Sequence, residues 1–178
     1  MKRLRKTVVL VGMMGAGKTS VGRRLAAALG VPFRDADLEI ETAAGCTINE
    51  IFERFGEGAF RDGERKVLQR LLTEAPHILA TGGGAFMDAD TRVRIKEHAV
   101  SIRLKADIEL LLDRVSRKDT RPLLRTSDPR AKLASLLKER EPTYSEADII
   151  ILSDDGPQET IVKRILVALE PYLDKTPS

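Results

Sequence analysis

Apolar positions along this chain alternate between two periods. Residues 8–11, Val-Val-Leu-Val, form a short unbroken apolar run rich in β-branched side chains, the signature of a strand buried on both faces. Residues 18–29 then place Val21, Leu25 and Leu29 at four-residue spacing, with Gly30 as a stop and Gly22 small where the helix should approach a sheet. A second short strand is expected at 31–33, followed by Asp35-Ala36-Asp37. Residues 47–55 read as a short helix with a Thr47/Glu50 capping box and an apolar stripe of Ile48, Ile51, Phe52 and Phe55. Gly56-Glu57-Gly58 breaks that pattern. A longer helix follows to about residue 74, turning Phe60, Val67, Leu68, Leu71 and Leu72 inward; Gly63 inside it costs about 1 kcal/mol against alanine. A third strand at 78–81 closes on Gly82-Gly83-Gly84, and Asp88 can cap a helix to about residue 97. Val100, Ile102 and Leu104 alternate along a fourth strand, and 108–115 is helical. Residues 116–129 hold two prolines and no sustained apolar period, which describes a loop long enough to carry function. A helix at 130–141 runs through Leu133, Leu136 and Leu137. A fifth strand at 148–152 has Ile149-Ile150-Ile151 as its centre. Pro157 opens a last helix whose inner face is Ile161, Ile165, Leu166 and Leu169. Strands alternating with helices imply an α/β fold with a parallel sheet covered on both faces, and ligands gathered at the carboxyl ends of the strands.

Length and charge narrow this picture. The 178 residues suit one domain, 1–178, and no repeat or linker divides them. The net charge of +3 is unevenly spread. Lys2, Arg3, Arg5 and Lys6 make a basic N-terminus, expected to be a solvated tail. Residues 116–130 hold five basic and two acidic residues, so the rest of the chain is net negative. That distribution argues against general nucleic-acid binding and for one local anionic target. The only cysteine, Cys46, excludes an internal disulfide and a cysteine zinc site, which suits a reducing, cytoplasmic setting. The basic start followed by an apolar run imitates a secretory signal but has no small-residue cleavage pattern. No apolar run is long enough to span a bilayer.

Chemistry enters at Gly12-Met13-Met14-Gly15-Ala16-Gly17-Lys18-Thr19-Ser20. The first eight residues fit G-x-x-x-x-G-K-[ST] between a strand and a helix, the phosphate-binding loop. Gly12, Gly15 and Gly17 let the backbone curl its N–H groups around a phosphate, and the helix N-terminus adds its positive end. Lys18 supplies a point charge for the β- and γ-phosphates, and Thr19 offers a hydroxyl to Mg²⁺. Asp35 and Asp37 fall at a strand end beside this loop: one suits the metal, the other an alcohol that accepts a phosphoryl group. Thr81 and Gly82 stand where many such proteins keep a metal-binding Asp, which leaves Asp35 as the natural metal residue. Gly82-Gly83-Gly84 removes side chains where a ligand can approach the main chain. Arg61 and Arg140, if they converge, make a carboxylate clamp. Arg117, Lys118, Arg121 and Arg125 lie in the 116–129 segment, expected to be a lid over the nucleotide. An arginine delivered by such a lid to the transferring phosphate accelerates transfer about 10³–10⁵-fold, and Arg121, next to Pro122, is the best placed.

The ordered set formed by the Gly12–Thr19 loop, Asp35-Ala36-Asp37, Phe60-Arg61-Asp62-Gly63-Glu64, Gly82-Gly83-Gly84, Arg121-Pro122-Leu123-Leu124, and Arg140 with Tyr144 resembles shikimate kinase along nearly the whole chain. The resemblance implies a three-layer P-loop fold of the nucleoside monophosphate kinase type. Its five parallel strands would run in the order 2-3-1-4-5, with a mobile lid at about 116–129 and a substrate-binding segment at about 34–62. It implies ATP-dependent phosphorylation of the 3-hydroxyl of shikimate in aromatic amino-acid biosynthesis, by a monomer of the cytoplasm with one Mg²⁺ and no nucleic-acid or membrane partner. On matching positions, Gly12, Gly15, Ala16, Gly17, Lys18, Thr19 and Ser20 bind ATP, with Arg114 and Pro157 flanking adenine. Asp37, Arg61, Gly82, Gly83 and Arg140 contact shikimate. Asp37 faces the reacting hydroxyl and the two arginines hold the carboxylate. Lys18 and Arg121 stabilise the phosphates, and Thr19 and Asp35 serve the metal. Two rival readings remain at this level: a kinase of the same fold acting on another small hydroxyl compound such as gluconate, and a nucleotide-gated binding module.

Overall fold

The computed structural model describes residues 3–117 and 126–174; Lys118, Arg121 and Arg125 lie outside them. Five strands form one parallel sheet, β1 (Thr7–Val11), β2 (Phe33–Asp35), β3 (Ile78–Ala80), β4 (Ala99–Lys105) and β5 (Ile149–Leu152), in the order β2-β3-β1-β4-β5. β1 is buried throughout, as its unbroken apolar run requires. The helices described are α1 (Lys18–Leu29), α2 (Ala36–Ala44), α3 (Ile48–Leu71), α4 (Ala89–His98), α5 (Ile108–Ser116), α6 (Pro129–Tyr144) and α7 (Gln158–Leu169). α1 and α7 pack together and onto the sheet, while α4 packs on β4 and against α3, so helices cover both faces. Gly22 lets α1 approach closely, because a Cβ there would stand 2.7 Å from the Phe33 ring.

Several elements depart from the expected pattern. β2 begins at Phe33, not at residue 31. Val31 instead donates its N–H to Ala26 O (3.1 Å), closing the end of α1 after Gly30 turns left-handed (φ 64°). α2 has no counterpart in the sequence reading, since only Ala36 and Ile40 of its nine residues are buried. Asp35 caps it by accepting from Asp37 N (2.9 Å) and Leu38 N (3.4 Å), and Gly45 ends it. The expected break at residues 56–58 is confined to Gly56 (φ 83°, ψ 175°), after which the helix resumes at once. Phe55, just before that break, is exposed and leaves the expected stripe.

The centre of β5 is also misread. Ile150 is 47% exposed, because β5, paired with β4, is an edge strand among the described residues. α6 continues past residue 141 through Pro142 to Tyr144. The expected loop is shorter at both ends, with Ser116 closing α5 and Pro129 opening α6. The basic N-terminus is pinned rather than wholly solvated. Leu4 is buried and bridges Leu173, Asp174 N donates to Arg3 O (2.9 Å), and Arg5 pairs with Asp174.

Candidate active site

The turn from β1 into α1 builds the first half of the site. Gly12 (φ 141°), Gly15 (φ 82°) and Gly17 (φ 96°) hold backbone angles that side chains rarely adopt. At Gly12 a Cβ would also meet Leu104 O at 2.6 Å. Lys18, 6% exposed, folds its ammonium back to the carbonyls of Gly12 and Met13, the latter at 2.9 Å. Thr19 Oγ1 donates to Asp35 Oδ2 (3.2 Å). A cavity of about 290 Å³ opens here, lined by Gly15, Gly17, Lys18, Thr19 and Ser20, and also by Arg114, Arg117 and Gln158. Arg114 ties the loop down, donating to Gly15 O (3.1 Å) and Asp154 O (3.1 Å). Pro157 caps α7 but does not line this cavity; its neighbour Gln158 does.

Thr19 and Asp35 are hard oxygen donors in mutual contact beside the loop, a donor set that fits Mg²⁺. Among the described residues no group of three His, Cys, Asp or Glu side chains stands ready to hold a metal ion by itself. An ion at Thr19 and Asp35 would take the rest of its shell from nucleotide phosphates and water.

A second cavity of about 380 Å³ adjoins the first, within the usual size range for small-molecule sites. Arg61 from α3 and Arg140 from α6 both line it, on either side of Gly82-Gly83-Gly84. The glycines make room for the guanidinium groups. A Cβ on Gly84 would stand 2.6 Å from Arg61 Nη2, and one on Gly83 3.3 Å from Arg140 Nη1. An adjoining wall is apolar, formed by Ile48, Phe52 and Phe60, with the two rings 4.9 Å apart and the Arg61 guanidinium 5.1 Å from the centre of the Phe60 ring. Glu41, Thr47 and Asn49 add polar groups from α2 and the start of α3. Met14 and Asp37 line both cavities. Asp37, in the first turn of α2, points its Oδ1 toward Gly82, where a Cβ would lie 3.1 Å away.

The structure therefore brings together Lys18, Thr19, Asp35, Asp37, Arg61, Gly82, Gly83 and Arg140, and Arg121 lies outside the described residues. It also adds a residue that the sequence reading noted only as a neighbour of Arg61. Glu64 is 3% exposed, its Oε1 accepting from Arg61 Nη1 (2.9 Å). Its Oε2 has no hydrogen-bond partner among the described residues. Burial pushes its carboxyl above the usual range; Arg61 pulls it partly back, and the Asp37 charge adds to the rise. A raised folded-state value means that stability linked to Glu64 is full below the unfolded value near 4.5 and is lost as pH rises through the folded one. Glu64→Gln removes that loss. Whatever constant offset the broken Arg61 pair causes, the melting temperature of the variant relative to the parent should climb as pH goes from about 4 to about 7. A difference that falls over this range would contradict the assignment.

A family model described as shikimate kinase matches residues 14–170. A shikimate kinase of Caulobacter vibrioides is 60% identical over 164 residues, covering 92% of this chain and 82% of that protein. Among solved structures, a shikimate kinase of Acinetobacter baumannii in complex with shikimate superposes with a TM-score of 0.90 at 43% identity, over 92% of each chain. A gluconokinase of Sinorhizobium meliloti shares the fold alone, at 19% identity and a TM-score of 0.63, over 95% of this chain and 94% of that one.

Proposed function

The chain belongs to the shikimate kinase family, and we propose that it moves the γ-phosphoryl group of ATP onto the 3-hydroxyl of shikimate, a step of aromatic amino-acid biosynthesis. The observation that carries the assignment of roles is that Asp37 lines both cavities, with the phosphate loop on one side and the arginine pair on the other. In this reading ATP lies along the 290 Å³ cavity with its phosphates in the loop, and the acceptor occupies the 380 Å³ cavity. Arg61 and Arg140 grip its carboxylate. The Phe52 and Phe60 wall covers its ring, and the reacting hydroxyl meets Asp37. The hydroxyl oxygen forms a bond to the γ-phosphorus as the bond to the bridging β,γ-oxygen breaks. Asp37 orients the hydroxyl and takes its proton, and Lys18 stabilises the charge that gathers on the phosphoryl oxygens. Arg121 is assigned the second phosphate contact. Mg²⁺ at Thr19 and Asp35 supplies charge neutralisation of the phosphates when bound. Arg114 is assigned to the adenine side of the nucleotide, with Pro157 beside Gln158 at the same end.

The two cavities adjoin and share Met14 and Asp37, which supports a single domain, 1–178; a monomer is the matching proposal. Among the described residues no helix is long and apolar enough to cross a membrane; a cytoplasmic enzyme is the matching proposal. The test is ADP release with ATP, Mg²⁺ and shikimate, with gluconate offered in parallel. Turnover with shikimate alone is the expected result, and turnover with gluconate alone would overturn it.

A further inference from the structure

Arg103 is a charged residue in the interior of the sheet. It lies on β4 between Val11 of β1 and Ile150 of β5, and is 2% exposed. A buried guanidinium is costly unless it is paired and hydrogen-bonded. Arg103 meets that demand on one helix. Its Nη1 and Nη2 donate to the two carboxylate oxygens of Glu141, at 2.8 and 2.5 Å, and its guanidinium lies 5.2 Å from the centre of the Tyr144 ring. Its Nε has no hydrogen-bond partner among the described residues, so the side chain is committed to these two contacts.

Glu141 and Tyr144 belong to the last turn of α6, which also carries Arg140. Pro142 falls inside that turn and deprives it of a backbone donor, so its position depends on outside contacts. There are three. Arg103 holds Glu141 and the Tyr144 ring from β4. The Tyr144 hydroxyl donates to Gly83 O, in the glycine run against which both arginines of the acceptor cavity stand. The sulfur of Met13, in the phosphate loop, lies 3.8 Å from the Tyr144 hydroxyl and 4.0 Å from Arg140 Nη1. Neither Arg103 nor Tyr144 lines either cavity. Stability alone is a weak reason for such a pair, since Glu141 keeps 38% of its side chain exposed and ion pairs that reach the surface contribute little.

Resting on the acceptor site read above, we propose that Arg103 and Tyr144 are positioning residues for recognition of the acceptor's carboxylate. Arg103 anchors the last turn of α6 through Glu141 and Tyr144 and so sets where Arg140 stands opposite Arg61. Tyr144 fixes the Gly83 segment between them. A shift of Arg140 by a fraction of a bond length spoils a two-guanidinium grip on a planar anion but leaves the nucleotide cavity intact.

The experiment compares Arg103→Met, Glu141→Gln and Tyr144→Phe with the parent enzyme. It measures kcat, KM for shikimate and for ATP, inhibition by the uncharged methyl ester of shikimate, and thermal unfolding. Residues that act on a site through another side chain typically change its coupling by roughly 2–30-fold. Arg103→Met and Glu141→Gln should raise KM for shikimate about tenfold and Tyr144→Phe about threefold, with KM for ATP within about twofold. The ester's inhibition constant should hold, so discrimination between acid and ester falls by the same factor. The double variant Arg103→Met/Glu141→Leu should regain any lost melting temperature without regaining KM. An unchanged KM for shikimate in folded variants, or an equal rise of both KM values together with the ester's inhibition constant, would overturn the proposal. If Arg103→Met does not fold, unchanged discrimination in both Glu141→Gln and Tyr144→Phe overturns it equally. Arg140→Lys separates the two levels: if it leaves KM for shikimate untouched, the acceptor-site reading itself fails, whereas if it raises that KM and Arg103→Met does not, only the positioning role is lost.

Discussion

Asp37→Asn is expected to lower kcat for shikimate by about 10²–10⁴-fold, the range for loss of a positioned general base, while the affinity for ATP stays within about threefold. The asymmetry follows from where Asp37 stands. It lines both cavities, but the contacts assigned to the nucleotide come from the Gly12–Thr19 loop and from Asp35, whose hydrogen bond to Thr19 does not involve the Asp37 side chain. Asparagine keeps the size of the side chain and a carbonyl oxygen that can still accept from the hydroxyl. It removes the capacity to take a proton, so binding of shikimate should weaken far less than turnover. A second readout lies outside the kinetics. The negative charge of Asp37 is one of the causes that raise the Glu64 carboxyl, so removing it should bring Glu64 titration down toward its ordinary range. Retained turnover in Asp37→Asn would mean that the site works by alignment and phosphate stabilisation alone. A loss of ATP affinity as large as the loss of kcat would place Asp37 with the nucleotide instead.

The two halves of this site differ in how openly the sequence states them. The phosphate loop is a local structure: three glycines, a lysine and a threonine within a single turn define the geometry, and the flanking strand and helix have clear periods. The acceptor cavity is built from distant segments. Arg61, Gly83 and Arg140 come from α3, the segment after β3, and α6, and nothing in their own neighbourhoods requires them to meet. Phe52 and Phe60 read as core because an apolar wall of a cavity and an apolar face of a core share one spacing. Glu64 reads as an ordinary i,i+3 partner of Arg61, since its second oxygen packs against Gly82, a residue distant in sequence. α2 escapes notice because its hydrophobic face is only Ala36 and Ile40, although Asp35 before it and Gly45 after it are readable as caps. Arg103 is concealed by alternation. Val100, Ile102 and Leu104 point one way, which suggests a solvated position at Arg103, but α6 covers the other face of β4 and supplies Glu141 and Tyr144 to receive it. Edge position explains the opposite error at Ile150, where an apolar run ends in solvent because β5 is the last strand of the sheet among the described residues.

Lys18→Met should have the other large effect, a fall in kcat of about 10²–10³-fold, the scale for removing one preorganised donor that faces developing charge. Unlike Asp37→Asn, it should weaken ATP binding as well, because the ammonium meets phosphate oxygens in the bound state and more strongly as charge shifts during transfer. Methionine is a near match in length and is tolerated in a buried position. The loop should survive the change: Met13 O, which now accepts from Lys18 Nζ, also accepts from Ala16 N (3.1 Å), and the left-handed glycines are untouched. An unfolding temperature close to that of the parent is therefore part of the expectation. Arginine should not rescue activity, since the pocket around Lys18 is closed to 6% exposure and a planar fork cannot replace a compact point charge there. The KM for shikimate should be nearly unchanged in the residual activity, the mirror image of Arg140→Lys. If Lys18→Met instead kept kcat within tenfold of the parent, the transferring phosphoryl group would have to be stabilised without the loop lysine, and the division of labour between the two cavities would need to be redrawn.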